Sequence, residues 1–576
     1  MPKNDGIYMI CVILTWMPNI AFSGSVNEFE MVSRSKALHS LQIKPTAEHH
    51  GQAAALHNKS MIAPITRRIA SEQGGMCTRV VNAEALPTYT WFSKLEVRQQ
   101  AQVNPGNTAR LRAAVDRYMK GDNLTVVFLG GSITAGQGAV DGKAFPFWAE
   151  EIMTQSLGSQ SKVHNGAIPG TLSSYMSVCH NMHCPKEADI VFLDYTLNDP
   201  LTISMDNPVR RPFERLIRKL LSYPRKPAVI LVHAFKWFDL EELGVYWKSC
   251  ERDFHDFALY YSLSELSVKA AAWHLMRKGE AGYQVDRTRG DHSGQIQPAI
   301  DASLRDKVFF WDVIHPDGRT GHKFMGEISA QVVLDAHAGL KVTPLTDQER
   351  TVVNEPLPPP MLRNNWESAS DKCFIGPVFV KAILEHPQWE YKNEGLSFRP
   401  KFGYIADQPN ARMKISVNTT SATGHKEKMV TVELSYLRSY VNMGQAQVEC
   451  VEGCTCDPSI LDGHTTDKTS LLNLLEFKVT QHDRCIISIT VLKETSSGKH
   501  KVKIAGIMVS EEGGGEGVHN HMAIDMLMEG VSSNVSKGTA FDINAWAKST
   551  GRRLNGLDSF YEELPYDVPG PGSAHE

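Results

Sequence analysis

Between residues 106 and 341 two hydrophobic patterns alternate along the chain. Short runs that are apolar at nearly every position, such as "LTVVFLG", "ADIVFLDYT" and "PAVILVHAF", read as strands buried on both faces. "KVHNGA" reads as a further short strand, and "KVFFWDVIHPDG" as a last short strand and loop. Between them lie stretches with apolar residues at helical spacing. In "GNTARLRAAVDRYMKG" (106–121) Leu111, Ala114, Val115 and Tyr118 share one face, and Asn107 or Thr108 can cap. "FPFWAEEIMTQSLG", "TLSSYMSVC", "PVRRPFERLIRKLLSY", a long region over roughly 255–278 and "GHKFMGEISAQVVLDAHAG" also read as helices. Apolar strands with intervening helices predict an α/β domain: a parallel sheet covered on both faces.

The period changes further on. Residues 342–365 are proline-rich and read as a linker. Over 366–512 the alternation shifts to every second residue, in "KISVN", "VTVELSYL", "LEFKVTQ", "CIISITVL" and "KVKIAGIMV". Those segments predict antiparallel strands and a β-sandwich-like domain of about 140 residues. Within it Trp389, Tyr391 and Tyr404 are core aromatics or sugar-stacking candidates. Residues 513–576 begin glycine-rich and lose pattern, which predicts a largely disordered tail. Residues 24–105 are polar without a steady period and read as a poorly ordered spacer. Residues 7–16 are continuously apolar and precede Ala21 and Ser23, so 1–23 reads as a cleaved secretory signal. The alternative is an uncleaved signal anchor, although a bilayer span needs roughly 20 apolar residues. The expected location is outside the cell or the secretory lumen, with no membrane span in the mature chain if the signal is cleaved.

The 576 residues exceed what one core needs, which fits two domains plus extensions. With a formal net charge of -4, no basic surplus points to nucleic acid. Ten cysteines are present, and Cys11 would leave with the signal. In an oxidising compartment the remaining odd number leaves at least one thiol free or bonded to another chain. "CVEGCTC" and Cys485 read as a local disulfide cluster, and "CHNMHC" (179–184) as a surface loop closed by a disulfide or, less simply, a metal site. Sequons at Asn58, Asn123, Asn418 and Asn534 are candidate glycosylation sites if the chain is secreted.

In open parallel sheets ligands gather at the carboxyl ends of the strands. Four marked loops are expected there. They carry Ser132 in "GGSITAG", Gly170 in "NGAIPGT", Asn198 in "LND", and Asp312 with His315 in "DVIHP". Together they suit acyl transfer. A serine hydroxyl needs a base, His315 can serve, and Asp312 can orient its imidazole. Backbone N–H groups of Ser132 and Gly170 and the Asn198 amide can donate to an oxyanion. His233, at a strand end on the same edge, is either structural or pocket-lining, and Asp199 is expected to hold loop geometry.

These four blocks, in this order, resemble the SGNH (GDSL-like) hydrolase family over about residues 106–340. Asp312-Val-Ile-His315 is moreover the only Asp-x-x-His in the chain. The resemblance implies a three-layer α/β/α domain with Ser132, Asp312 and His315 as catalytic triad, and Ser132, Gly170 and Asn198 as oxyanion hole. It implies no metal and no cofactor, and substrates that are small acyl esters, often acetyl groups on sugars. Two positions depart from the family: Gly131 stands where an aspartate is usual, and Thr196 where a glycine is. The alternatives are an O-acyltransferase using the same residues and a glycan-binding protein whose site has decayed.

Overall fold

Val126, Val127, Phe128 and Leu129 are fully buried in the second strand from one edge of a six-stranded sheet. The computed structural model describes residues 89–158, 161–199, 205–206, 210–236, 249–290, 302–312, 314–395, 401–421, 429–466 and 470–511. The signal, most of the spacer, the tail, Cys11, Cys77, Asn58 and Asn534 lie outside them. The first part of the fold runs α1 (Leu95–Gln100), β1 (Gln102–Asn104), α2 (Ala109–Met119), β2 (Leu124–Gly130), α3 (Ser132–Ala135), α4 (Phe145–Leu157), β3 (Ser161–Asn165), α5 (Ser173–His183) and β4 (Ile190–Asp194). It continues with α6 (Arg210–Leu221), β5 (Ala228–His233), α7 (Glu251–Tyr261), β6 (Ser264–Ser267), α8 (Val268–Arg277), α9 (Gly321–Val342) and α10 (Asp347–Asn354).

The strand order is β1-β6-β5-β4-β2-β3. Strands β2 to β6 are parallel, and β1 is antiparallel to β6. The period-two geometry of a strand divides each apolar run between two layers. Val126, Phe128, Ile190, Phe192 and Ile230 pack with residues of α2, α4 and α9. Val127, Leu129, Val191, Leu193 and Leu231 pack with residues of α5, α6 and α7. Both faces are covered, so the strands carry no polar alternation.

Four readings of elements and connections in this first part need correction. The helical region read over 255–278 is interrupted by β6, whose "SELS" is too short and polar to register as a strand although all four residues are buried. "KVFFWDVIHPDG" forms no named strand among the described residues, only the isolated bridges Gln284↔Val308 and Phe310↔Pro316. The end of the supposed spacer 24–105 is ordered, because buried Glu327 on α9 takes N–H donors from Phe92 and Ser93 and β1 completes the sheet edge. The linker read over 342–365 contains α10, started by a reciprocal Thr346/Glu349 capping box.

Among the described residues the second part has eleven strands and one short helix. They are β7 (Lys372–Ile375), α11 (Gly376–Val380), β8 (Ile383–Glu385), β9 (Glu390–Asn393), β10 (Phe402–Ala406), β11 (Arg412–Val417), β12 (Met429–Ser439), β13 (Gln445–Glu452), β14 (Ser459–Asp462), β15 (Ser470–Thr480), β16 (Cys485–Val491) and β17 (Val502–Ser510). One sheet has the order β15-β12-β17-β10-β9, with β7 also on β17, and the other β14-β13-β16-β11-β8. All their pairings are antiparallel, and one core lies between them. Trp389 and Tyr404 belong to that core, while half-buried Tyr391 stacks on Phe402. The described sequons Asn123 and Asn418 are exposed.

Helix α6 joins the two parts. Phe213, Leu216, Ile217 and Leu220 fill the layer beneath the sheet. Its charged face is also buried. Glu214 accepts from Asn365 Nδ2 (2.6 Å) and Leu362 N (3.2 Å), Arg218 pairs with Glu367 (2.6 Å), and Lys219 pairs with Asp371. Such charges are tolerated in an interior only when paired. Beside them Cys179 of α5 bonds Cys373 of β7. The predicted closure of "CHNMHC" on itself is therefore wrong: the segment lies on and caps α5, Cys179 reaches the β domain, and Cys184 is a buried free thiol. His180 and His183 are bonded to Tyr223 and Tyr175, each at 2.8 Å. The expected cluster does form, as Cys450–Cys456 and Cys454–Cys485. The Cys179–Cys373 bridge spans 194 residues of sequence, so replacing both cysteines with serine is expected to destabilise the protein by about 2–5 kcal/mol in urea unfolding. An unchanged midpoint would assign the docking to the α6 ion pairs alone.

Candidate active site

The parallel pairing of β2 with β4 sets Gly130 opposite Asp194, so both strands end together. From there β2 leads towards β3 on one side of the sheet, and β4 towards β5 on the other. A crevice opens where adjacent connections diverge in this way. Ser132 leaves β2 at that point, and Asn198 follows β4.

Ser132 begins α3, a single turn whose Ala135 N–H reaches the Gly131 carbonyl at 3.0 Å. One helical turn has little stability of its own. Thr134 anchors it: its hydroxyl donates to Asp194 Oδ2 (2.9 Å), and its carbonyl accepts from Asn165 Nδ2 (2.8 Å). Burial pushes the Asp194 carboxyl up to about 6, against the Thr134 hydrogen bond that favours its ionised form.

Asp312 and His315 lie in the loop before α9. Asp312 Oδ1 accepts from the backbone N–H of Ile314 (2.8 Å) and His315 (2.7 Å), which curls the loop around the carboxylate. His315 Nδ1 lies 2.8 Å from Asp312 Oδ2, and its Nε2 lies 2.8 Å from Ser132 Oγ. An ionised carboxylate only accepts, so Nδ1 carries the proton and Nε2 accepts from the serine hydroxyl. Arg289 braces the loop through Asp317 (3.1 Å) and Asp141 (3.0 Å), with its guanidinium 5.3 Å from the Trp311 ring. His322 Nε2 donates to the Gln137 carbonyl (2.9 Å), and burial lowers its pKa to about 4, so it stays neutral.

The Asn198 turn is built on the Tyr195 carbonyl, which accepts from the N–H groups of Asn198 and Asp199, both at 3.0 Å. Asn198 Nδ2 donates one hydrogen to the Thr171 carbonyl (3.1 Å), leaving the other. Asp199 accepts from Ser173 N (2.9 Å) and Oγ (2.5 Å) and so ties this turn to the start of α5; it holds the loop, as expected. Gly170 stands just before, exposed, at φ +72°, where glycine is the natural residue. Gly131 meets a different constraint. A Cβ there would lie 2.1 Å from Asn198 Nδ2, so glycine is what leaves room for the Asn198 amide in this position.

Ser132 at the start of α3 and Gly170, Asn198, Asp312 and His315 in loops thus follow strands or precede helices of the α/β domain, and Ser132, His315 and Asp312 form one hydrogen-bonded chain. His233 is structural: it bonds Thr196 (2.7 Å) and Glu265 (3.0 Å). Asp194, Thr134 and His322 were not picked out from the sequence, since a strand-end aspartate, a helix threonine and a helix histidine carry no local signal. Among the described residues the one cysteine group close enough to hold a metal is Cys450, Cys454 and Cys485, and all three are in disulfides.

No family model and no curated protein matches this sequence. Among solved structures the fold is similar to a two-domain esterase active on acetylated mannans, with 18% identity over 72% of this chain and 99% of that one, and a TM-score of 0.50. A possible lipase from Chitinophaga pinensis matches with 15% identity over 39% of this chain and 100% of that one, TM-score 0.26. A lipase/acylhydrolase from Enterococcus faecalis matches with 14% identity over 38% of this chain and 96% of that one, TM-score 0.25. The fold shared with that two-domain structure is an α/β domain followed by a C-terminal β domain. No described helix is long and apolar enough to cross a membrane.

Asp194 has a raised folded-state pKa, so the native state binds its proton more tightly than the unfolded chain does. Its contribution to stability is therefore present at low pH and lost as pH rises from about 4 to about 6. Asp194→Asn removes this ionisation. Its stability relative to the parent is expected to improve across that interval, read from urea midpoints at pH 4 and pH 8.

Proposed function

We propose that this protein is a secreted serine esterase that removes small acyl groups, acetyl above all, from carbohydrate. The observation that carries the reading is the unbroken chain Ser132 Oγ, His315 Nε2, His315 Nδ1, Asp312 Oδ2, with both links at 2.8 Å. Ser132 Oγ attacks the ester carbonyl as His315 Nε2 takes its proton, and Asp312 stabilises the imidazolium without accepting a proton. The tetrahedral oxyanion accepts from the N–H groups of Ser132 and Gly170 and from the free hydrogen of Asn198 Nδ2. His315 then gives its proton to the departing alcohol, leaving an acyl-Ser132. Water attacks that ester with His315 again as base, and the acid leaves as the proton returns to Ser132. No step calls for a metal or a cofactor.

The acetyl-glycan preference is supported by the similar two-domain esterase, which is active on acetylated mannans. Secretion is supported by three disulfides, which persist in oxidising compartments.

Initial rates on p-nitrophenyl acetate and on acetylated polysaccharides test the reading. Ser132→Ala and His315→Ala are each expected to lower kcat by about 10⁴-fold, with no added acyl acceptor required by the parent. Activity of Ser132→Ala equal to the parent's contradicts the mechanism. Acyl release that waits for a sugar acceptor makes the protein a transferase.

A further inference from the structure

Thr196 stands two residues before Asn198, yet its side chain is turned to the neighbouring strand. Its hydroxyl lies 2.7 Å from His233 Nδ1 at the end of β5, and His233 Nε2 lies 3.0 Å from Glu265 Oε1 in β6. The second oxygen, Glu265 Oε2, lies 2.7 Å from Nδ1 of His255 on α7. Thr196, His233 and Glu265 are at most 1% exposed, whereas the His255 side chain is 44% exposed. The chain thus runs from beneath the Asn198 turn to the surface.

The donors can be assigned in one direction. Glu265 accepts at both oxygens, so His233 holds its proton on Nε2 and presents Nδ1 as an acceptor to the Thr196 hydroxyl. Burial raises the Glu265 pKa, but the hydrogen bonds from His233 and His255 outweigh it and leave the carboxyl below its ordinary value. An ionised Glu265 keeps His233 in the tautomer that Thr196 needs.

We propose that Thr196, His233, Glu265 and His255 act as a positioning chain that sets the height of the Asn198 amide over the reaction centre, and through it kcat. This rests on the esterase reading. The geometry leaves the turn little freedom. Asn198 Nδ2 sits close against Gly131, 2.1 Å from where a Cβ would be, so the amide lies directly over the backbone next to Ser132. On the far side Asp199 is bound to Ser173, and its carbonyl accepts from Cys250 Sγ at 2.9 Å. Thr196 is the one residue of the 195–199 turn whose side chain is hydrogen-bonded to β5 in this structure. Without its hydroxyl, His233 Nδ1 is left buried without that donor, and the turn is free to shift. Small misplacements of an oxyanion donor cost turnover more than substrate binding.

The test compares Thr196→Val, which deletes the hydroxyl at constant shape, with Thr196→Ser, which restores it. His255→Ala probes the chain from its exposed end. Kinetics are read on p-nitrophenyl acetate. Thr196→Val is expected to lose about tenfold to a hundredfold in kcat with KM within about twofold, and Thr196→Ser to recover most of it. His255→Ala is expected to lower kcat severalfold, again at constant KM. An active parent with Thr196→Val or His255→Ala at parental kcat overturns the positioning chain alone, as does a loss confined to KM. A parent without acyl-ester turnover overturns the esterase reading, and this inference with it.

Discussion

The pairing that sets Gly130 against Asp194 is the constraint on which the rest of the site depends. It brings two strand ends level, and the chain leaves them in opposite directions. Ser132 and Asn198 then face one crevice without any contact between them in sequence. The price of that nearness is side-chain volume at 131, where a Cβ would strike the Asn198 amide. An aspartate at this position, usual in the family the sequence resembles, cannot coexist with Asn198 as it stands here. The turn that carries Ser132 is held instead from below, by Thr134 on Asp194 and Asn165.

Polar burial is the second theme. Asp194 and Asp199 are both pushed up to about 6 by burial, yet each receives directed hydrogen bonds. Buried carboxyls oppose stability unless donors surround them. Their placement beneath the two loops that approach Ser132 suggests why the cost persists: they fix those loops more rigidly than apolar packing does. The charged face of α6 follows the same logic at larger scale: the segment that leads into the β domain supplies Glu367 to Arg218, Asp371 to Lys219 and the Asn365 amide to Glu214. Helix α5 shares in this, since it starts at the Asp199 contact and is bonded to β7 through Cys179.

How much of this could be read from sequence depends on how local each signal is. Strands β2, β4 and β5 were legible because they are buried on both faces and therefore continuously apolar. Strand β6 was not, because four residues of "SELS" gain their burial from neighbours rather than from their own hydrophobicity. Ser132, Gly170, Asn198, Asp312 and His315 stood out through joint order and spacing. The positions that hold them did not: Thr134, Asp194 and Glu265 acquire meaning only when strands far apart in sequence are paired, and the same pairing decides His233 as structural. The same holds for Cys179, whose partner Cys373 lies 194 residues away. Trp389 and Tyr404, which sequence left open between core and sugar contact, lie in the β core.

The central claim is that Ser132 becomes acylated. Acid-quenched reaction with p-nitrophenyl acetate, followed by peptide mass spectrometry, tests it most directly. One acetyl group on the peptide containing Ser132, absent from Ser132→Ala, is the expected result. Turnover of the ester with no covalent adduct at Ser132, or an adduct that survives in Ser132→Ala, would contradict the account.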